Sequence, residues 1–265
     1  MVAIVFSVGL YFGLSQGQSF AAALQQPDPA LAAIIDGPQR SEANKARDRY
    51  RHPLEVLTFF GVKADSNAIE VVAGKGWLLT EILAPYLKDR GCYTASGDAE
   101  RDVAPLNTRI SENPGLYGKT IITGFTGGDQ EIAPPGSAGF VLTFRNIHNW
   151  MRAGTADAAF RAFYKALKPG GILGVEEHRG RPDQPQDPQA KSGYVRQDFA
   201  IALAEKAGFK LLGSSEVNAN PKDYPEGVWT LPPAYRLKDQ DRDKYSAIGE
   251  SDRFVLKFAK PAEAK

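Results

Sequence analysis

From Asn67 onward the apolar positions fall into short blocks whose period switches repeatedly between that of a strand and that of a helix. Asn67 to Ala73 is β-branched and nearly continuous in its apolar character, the pattern of a strand buried on both faces. It runs through Gly74-Lys75-Gly76 into Leu79, Ile82, Leu83, Tyr86 and Leu87, which recur at helical spacing until Gly91. Cys92–Ser96, Lys119–Phe125 and Gly139–Phe144 read as three more strands. Asp157–Lys168 is an amphipathic helix with Phe160, Phe163, Tyr164 and Leu167 on one face, stopped at Lys168-Pro169-Gly170-Gly171, and Ile172–Glu176 is a fifth strand. Val195–Ala207 predicts another helix, and Phe209–Val217 and Phe254–Phe258 two last strands. Strands alternating with helices predict an α/β fold: a Rossmann-like, seven-stranded, mostly parallel sheet with helices on both faces. No clear helix separates the last two strands, which permits an antiparallel member, and the last strand is the one expected to reverse.

Around this frame the pattern is less regular. Leu31 to Tyr50 mixes apolar and charged residues and predicts one or two helices, so that residues 24–66 form a helical cap ahead of a domain spanning 67–265. Gly180–Gly193, rich in Pro, Gln and Asp, reads as a long exposed loop, of the kind that is either a lid or disordered. Asn218–Asp243 has no periodicity. At the start, Val2–Leu14 is apolar and Ala21-Ala22-Ala23 offers the small residues of a signal-peptidase site, although no Lys or Arg precedes the run. Residues 1–23 are therefore expected to be a cleaved signal peptide, with a periplasmic or secreted mature chain that is not inserted in the membrane. The alternatives are an N-terminal membrane anchor and a cytoplasmic protein.

Composition narrows the partners. The 32 basic and 31 acidic residues of the 265 leave a formal charge of +1 with no basic stripe, so no nucleic acid is expected and a small molecule is. The single Cys92 excludes an internal disulfide, and no CxxC or HxxxH spacing signals a metal. Ligands on such a sheet bind beyond the carboxyl ends of the strands. Gly74 to Trp77, Asp98, Asp129 and Arg145 to Trp150 fall there. Asp98, just past the second strand, is placed to accept from ribose hydroxyls; beside Gly97 it also reads as a turn aspartate.

Glu70, Gly74 and Gly76 match the E/D-x-G-x-G-x-G loop of class I S-adenosylmethionine (SAM) methyltransferases, with Val72 where the first glycine belongs. EVVAGKG, then Gly97-Asp98, Gly127-Gly128-Asp129, TFRNIHNW and LKPGGIL, in that order, resemble this family over most of the chain from Asn67. The FRN and LKPGG segments look like those of ubiquinone/menaquinone biosynthesis C-methyltransferases. HNW and NPKDYPEGVWTLPP (Asn220–Pro233) are similar to a group of bacterial methyltransferases with signal-like N-termini. The resemblance implies the class I methyltransferase fold and SAM as cofactor. It places Glu70, Gly74 and Gly76 around the methionine part, with Trp77 beside the loop, Asp98 at the ribose, Asp129 near the adenine amino group, and Arg145 and Asn146 along the sulfonium side. Gly139 stands where many relatives carry an acid.

Methyl transfer is an in-line displacement in which the protein supplies alignment and excludes water, and it needs a base only when the acceptor must lose a proton. His148 is the candidate base or orienting donor; the plainer alternative is a loop histidine bonded to a main-chain carbonyl. His178 and His52 read as structural. Glu176 and Glu177, adjacent on a strand, point to opposite faces, so only one could meet a ligand. Trp77, Trp150 and Trp229 are candidate walls for an apolar acceptor, with core packing as the alternative. The function expected is methyl transfer from SAM to a small molecule; a non-catalytic exported binding protein on the same fold is the alternative, and NAD-dependent oxidoreduction fits the motif order poorly.

Overall fold

The computed structural model describes residues 26–73, 78–223 and 241–262. In chain order the elements are α1 (Pro29–Ile35), α2 (Glu42–Lys45), α3 (Asp48–Arg51), α4 (Pro53–Phe60), β1 (Asn67–Val71), α5 (Thr80–Leu87), β2 (Cys92–Gly97), a π-helical turn (Ala99–Val103), α6 (Ala104–Glu112), α7 (Pro114–Tyr117), β3 (Ile121–Gly124), β4 (Ala138–Phe144), α8 (Ile147–Ala153), α9 (Ala156–Ala166), β5 (Leu167–His178), α10 (Gln197–Lys206), β6 (Lys210–Ser215), a 3₁₀ turn (Pro221–Asp223), α11 (Arg242–Ile248) and β7 (Arg253–Ala259). The seven strands form one sheet in the order β3-β2-β1-β4-β5-β7-β6. β1 pairs parallel with β2 and β4, β2 with β3, and β4 with β5, while β7 lies between β5 and β6, antiparallel to both. The expected mostly parallel sheet with a reversed last strand is the one observed.

Side-chain parity along the strands builds a core on each face. Ile69 and Val71 of β1 join Phe160 and Phe163 of α9 and Leu203 of α10 in one apolar cluster. Ala68, one position out of phase, joins Leu57 of α4 and Ile82, Leu83 and Leu87 of α5 in the other. Phe160 and Phe163 are both fully buried, each contributing about 2–3 kcal/mol of transfer free energy. Glu70 shares the parity of Ala68 and so faces α5. Gly91 closes the turn into β2 because a Cβ there would lie 2.3 Å from the Ser66 carbonyl oxygen.

Several elements differ from the sequence pattern. LKPGG is the first part of β5, because α9 ends at Ala166 and Leu167 is already extended; an irregularity in the β4–β5 register between Ala138 and Phe140 absorbs the turn. Ile147–Ala153, to which the sequence pattern assigned no element, is α8, closed by Gly154 in the left-handed region. Helices α6 and α7 occupy a stretch with no clear apolar stripe, and α11 begins inside the segment that lacked periodicity. The cap is four short helices, pinned to α5 by buried Glu81, which accepts from the Ser41 backbone N–H at 3.1 Å, Asn44 Nδ2 at 2.8 Å and Arg109 Nη2 at 2.6 Å. No helix among the described residues is long and apolar enough to cross a membrane; the apolar run near the N-terminus lies outside them.

Candidate functional site

Val71, Ser96 and Thr143 stand side by side in register near the carboxyl ends of β1, β2 and β4, so residues just beyond these strands share one edge of the sheet. Two of them carry backbone strain. Val72 has φ +55° and Arg145 φ +59°, a region that costs a β-branched or bulky side chain free energy and that collects at functional sites. Val72 stands where the loop pattern of the sequence lacks its first glycine, and its left-handed backbone is one that glycine adopts without steric cost.

On the β1 side Glu70 is buried, accepting from the Tyr93 hydroxyl at 2.5 Å and from Thr80 Oγ1 at 3.2 Å. Burial pushes its carboxyl up to about 7, against those hydrogen bonds and the attraction of Arg145. Asn146 donates through Nδ2 to the Val71 carbonyl and to Thr143 Oγ1, both at 3.2 Å, and so ties the end of β4 to the entrance of the glycine loop. Gly74, Gly76 and Trp77 lie outside the described residues, as does Trp229. Asp98 caps the π-helical turn, accepting from the backbone N–H groups of Arg101 at 2.9 Å and Glu100 at 3.2 Å. These bonds, that to Arg101 first, hold its carboxyl below the ordinary value. Gly97 before it is required, because a Cβ would lie 2.6 Å from Asp102 Cβ. Asp129 sits in the loop after β3, largely exposed and paired with Arg161 of α9 at 2.9 Å.

On the β5 side His148 lies in the first turn of α8, buried, with Nδ1 3.0 Å from Glu177 Oε1. Glu177, fully buried, also accepts from the backbone N–H of His148 at 3.3 Å and of His178 at 2.8 Å. Three donors thus fix the carboxylate, and the carboxylate fixes the imidazole. His148 is therefore neither in a loop nor bonded through Nδ1 to a main-chain carbonyl. The His178 ring lies 5.5 Å from that of His148 and 5.7 Å from that of Tyr194, with Nδ1 2.6 Å from Ser251 Oγ. Burial first, with the guanidiniums of Arg145, Arg253 and Arg51 adding to it, holds His178 well below the ordinary imidazole value. The ligand-type atoms of His148, Glu177 and His178 all lie within 4.8 Å of one another, near enough for a divalent cation to bridge them after small shifts, although the Glu177 oxygens are already committed to N–H donors. Sequence spacing gave no sign of this grouping, because the end of β5 and the start of α8 bring it together. Glu176, as its parity requires, points the other way, accepting from Asn218 Nδ2 at 2.6 Å. His52 Nδ1 lies 2.9 Å from Asn218 Oδ1 behind it.

Trp150 is core, its ring 6.0 Å from Phe125 and 5.3 Å from Phe163. Beyond His178 the 180–193 loop borders a recess of about 190 Å³ lined by Arg179, Arg181, Gln184, Tyr194, Arg196 and Asp223. The sequence pattern did not disclose Ser251, Tyr194, Arg47, Arg51, Glu250 or Arg253. The one available signal was Arg253, a charge opening a strand otherwise apolar enough to be central.

No protein-family model matches the chain, and comparison with curated protein sequences finds no match. Solved structures do match in shape. A SAM-dependent methyltransferase from Aquifex aeolicus superposes with a TM-score of 0.56 at 14% identity, over 87% of this chain and 98% of that one. The [4+2]-cyclase SpnF gives 0.57 at 17% identity over 88% and 92%. An arsenic(III) SAM methyltransferase from Chlamydomonas reinhardtii gives 0.53 at 15% over 91% and 76%. With the strand order and the reversed β7, these matches show that the chain has the Rossmann-like fold of the class I SAM-dependent methyltransferases.

Proposed function

We propose that the protein is a SAM-dependent methyltransferase acting on a small molecule. The observation that carries this reading is Val72: just past the end of β1, at the position of the missing loop glycine, it holds a left-handed backbone that favours glycine and strains a β-branched residue. The residues fit the cofactor. On the resemblance, Glu70, Gly74 and Gly76 would surround its methionine part with Trp77 beside them, Arg145 and Asn146 would line its sulfonium side, and Asp98 would meet its ribose and Asp129 its adenine. When bound, SAM supplies an electrophilic methyl group on a sulfonium. The chain's own residues align the acceptor and exclude water. Glu177 accepts the Nδ1 proton of His148, making Nε2 the basic nitrogen, and an imidazolium formed there would be stabilised by the buried carboxylate. His148 thereby takes the acceptor's proton, and the recess under the 180–193 loop, beside His178 through Tyr194, is the acceptor's approach.

Calorimetry of the full chain with SAM and S-adenosylhomocysteine tests the reading; binding of NADH with no binding of either would sink it. The kinship to bacterial methyltransferases with signal-like N-termini, and export with cleavage after Ala23, belong to the same proposal. Support comes from Ala21-x-Ala23 and the apolar run before it. Mass spectrometry of protein expressed in a Gram-negative host should find a periplasmic chain beginning near Leu24, and soluble cytoplasmic protein with an intact N-terminus would refute export.

A further inference from the structure

Four arginines and two carboxylates share one region at the rim of the site. Glu250, 1% exposed, accepts from Arg47 Nε at 2.6 Å, Arg51 Nε at 3.0 Å and Arg253 Nη1 at 2.6 Å. Glu176 faces Arg253 Nε at 3.3 Å and Arg145 Nε at 4.0 Å. Among the described residues, these four guanidiniums against two carboxylates leave two positive charges over. Glu70, the next acid towards β1, does not restore the balance, since burial raises it to about 7. The excess is felt: Arg51 is pushed well below the ordinary arginine value by burial and then by repulsion from Arg145.

Arg145 is the least satisfied of the four. Its Nε has no hydrogen-bond partner, and its nearest carboxylate oxygen, at 4.0 Å, is beyond hydrogen-bond reach. Its backbone is left-handed, and 27% of its side chain is open to solvent. Leaving charge uncompensated in a largely dry region is costly, whereas a guanidinium fork matches a carboxylate or phosphate in two hydrogen bonds.

We propose that Arg145, backed by Arg47 and Arg51, is the seat of an anionic ligand group, a carboxylate or phosphate. The group belongs to the methyl acceptor, which is then an anionic small molecule. The identity of the ligand rests on the methyltransferase reading; the anion site itself does not.

The test is calorimetry of the full chain at low salt with inorganic phosphate and with benzoate, alone and with saturating S-adenosylhomocysteine or 5′-methylthioadenosine, which lacks the amino-acid carboxylate. At least one anion should bind, and Arg145→Gln should weaken it roughly ten- to hundredfold. Binding that persists beside S-adenosylhomocysteine assigns the site to the acceptor. Displacement by S-adenosylhomocysteine and not by 5′-methylthioadenosine would show that the cofactor's own carboxylate fills the site, and would overturn the acceptor assignment. Thermal melts supply the second readout. Without phosphate, Arg145→Gln should melt at or above the wild type because repulsion is relieved, and phosphate should raise the wild-type midpoint only. Anions that bind neither protein, or both equally, overturn the proposal, as does a variant that is simply less stable and indifferent to phosphate. Phosphate binding intact with no S-adenosylhomocysteine binding would instead refute the methyltransferase reading and leave the anion site standing.

Discussion

Replacing Glu70 by Gln should make the protein's stability less sensitive to pH, in a direction opposite to that expected of a paired surface acid. In the fold the carboxyl is pushed up to about 7 from its ordinary 4.5, chiefly by burial. Between those values the folded state binds more protons than the unfolded state, so this group's contribution to stability falls as pH rises. The ionisation penalty is small below pH 4.5 and fully present above pH 7. At about 1.4 kcal/mol for each pH unit of the gap, it amounts to about 1 kcal/mol at pH 5 and ~3 kcal/mol at pH 8. Gln cannot ionise, and its Oε1 can still accept from Tyr93 and Thr80; any cost of its NH₂ group is the same at every pH. The difference between variant and wild type should therefore move by about 2 kcal/mol in the variant's favour from pH 5 to pH 8, a change of about 4–8 °C in midpoint for a chain of this size. Other titrating groups, such as Asp223, raised to about 6 by burial, occur in both proteins and cancel in the difference. Urea or thermal unfolding at the two pH values measures it. A variant–wild-type difference that is flat with pH would show that Glu70 is not held protonated, and that Arg145 already has its counter-ion.

Val72→Gly should raise stability by about 1 kcal/mol or more despite losing a side chain, by relieving the left-handed strain, and should leave SAM affinity within a fewfold; a clear loss of stability by calorimetric melting would contradict the strain. Asp98→Ala should weaken S-adenosylhomocysteine binding roughly tenfold or more, read by calorimetry; unchanged affinity would reduce Asp98 to the helix cap it visibly is. His148→Ala should lower turnover by about 10²- to 10⁴-fold with SAM affinity nearly unchanged, and full activity in a methyl-transfer assay would return His148 to a packing role. Glu250→Gln should cost about 3–5 kcal/mol, because it strips three arginines of a shared buried acid. Burial opposes the ionised form, but Arg51, Arg253 and Arg47 hold Glu250 down to about 2. Its stabilisation is thus complete above pH 4.5 and lost as pH falls through about 2, so acid denaturation should begin at higher pH in the variant.

The sheet was legible because burial on both faces writes a continuous apolar run into β1 and β4, and because Phe160 and Phe163 mark the inward face of α9 at helical spacing. Strand ends were not, since β5 continues through Pro169 and Gly170, residues that usually signal a break. Helix α8 was missed because its seven residues carry two turns of mixed polarity, too short for a period to emerge. For the candidate site, position along the strands pointed to Asp98, Arg145 and His148 and the loop motif to Glu70, and the structure puts all four near the carboxyl edge. Neither signal could find their partners. Glu177 is 29 residues from His148, and Glu250 is about 200 from Arg47 and Arg51; crossovers of the sheet make these contacts, and no local pattern encodes a crossover. The three histidines, too, were judged by spacing along the chain, whereas β4 and β5 running side by side bring His148 and His178 within 5.5 Å.

The alternation of β5 supplies the division of labour within the site. Glu176 and Glu177 are neighbours in sequence, yet strand parity sends one carboxylate to Arg145, Arg253 and Asn218 and the other to His148. A shift of one residue in the β4–β5 pairing would turn Glu177 towards the arginines and Glu176 towards the imidazole. Register is fixed from both sides, by parallel pairing of Phe144 with Glu176 and by antiparallel pairing of Val255 with Glu176 and Phe254 with Glu177. β7 is the strand that does this, and it begins with Arg253, whose guanidinium bridges Glu176 and Glu250. The reversed last strand therefore does more than close the sheet: it delivers the arginine that sets Glu176 in place, and on the reading proposed here it separates the face that holds an anion from the face that moves a proton.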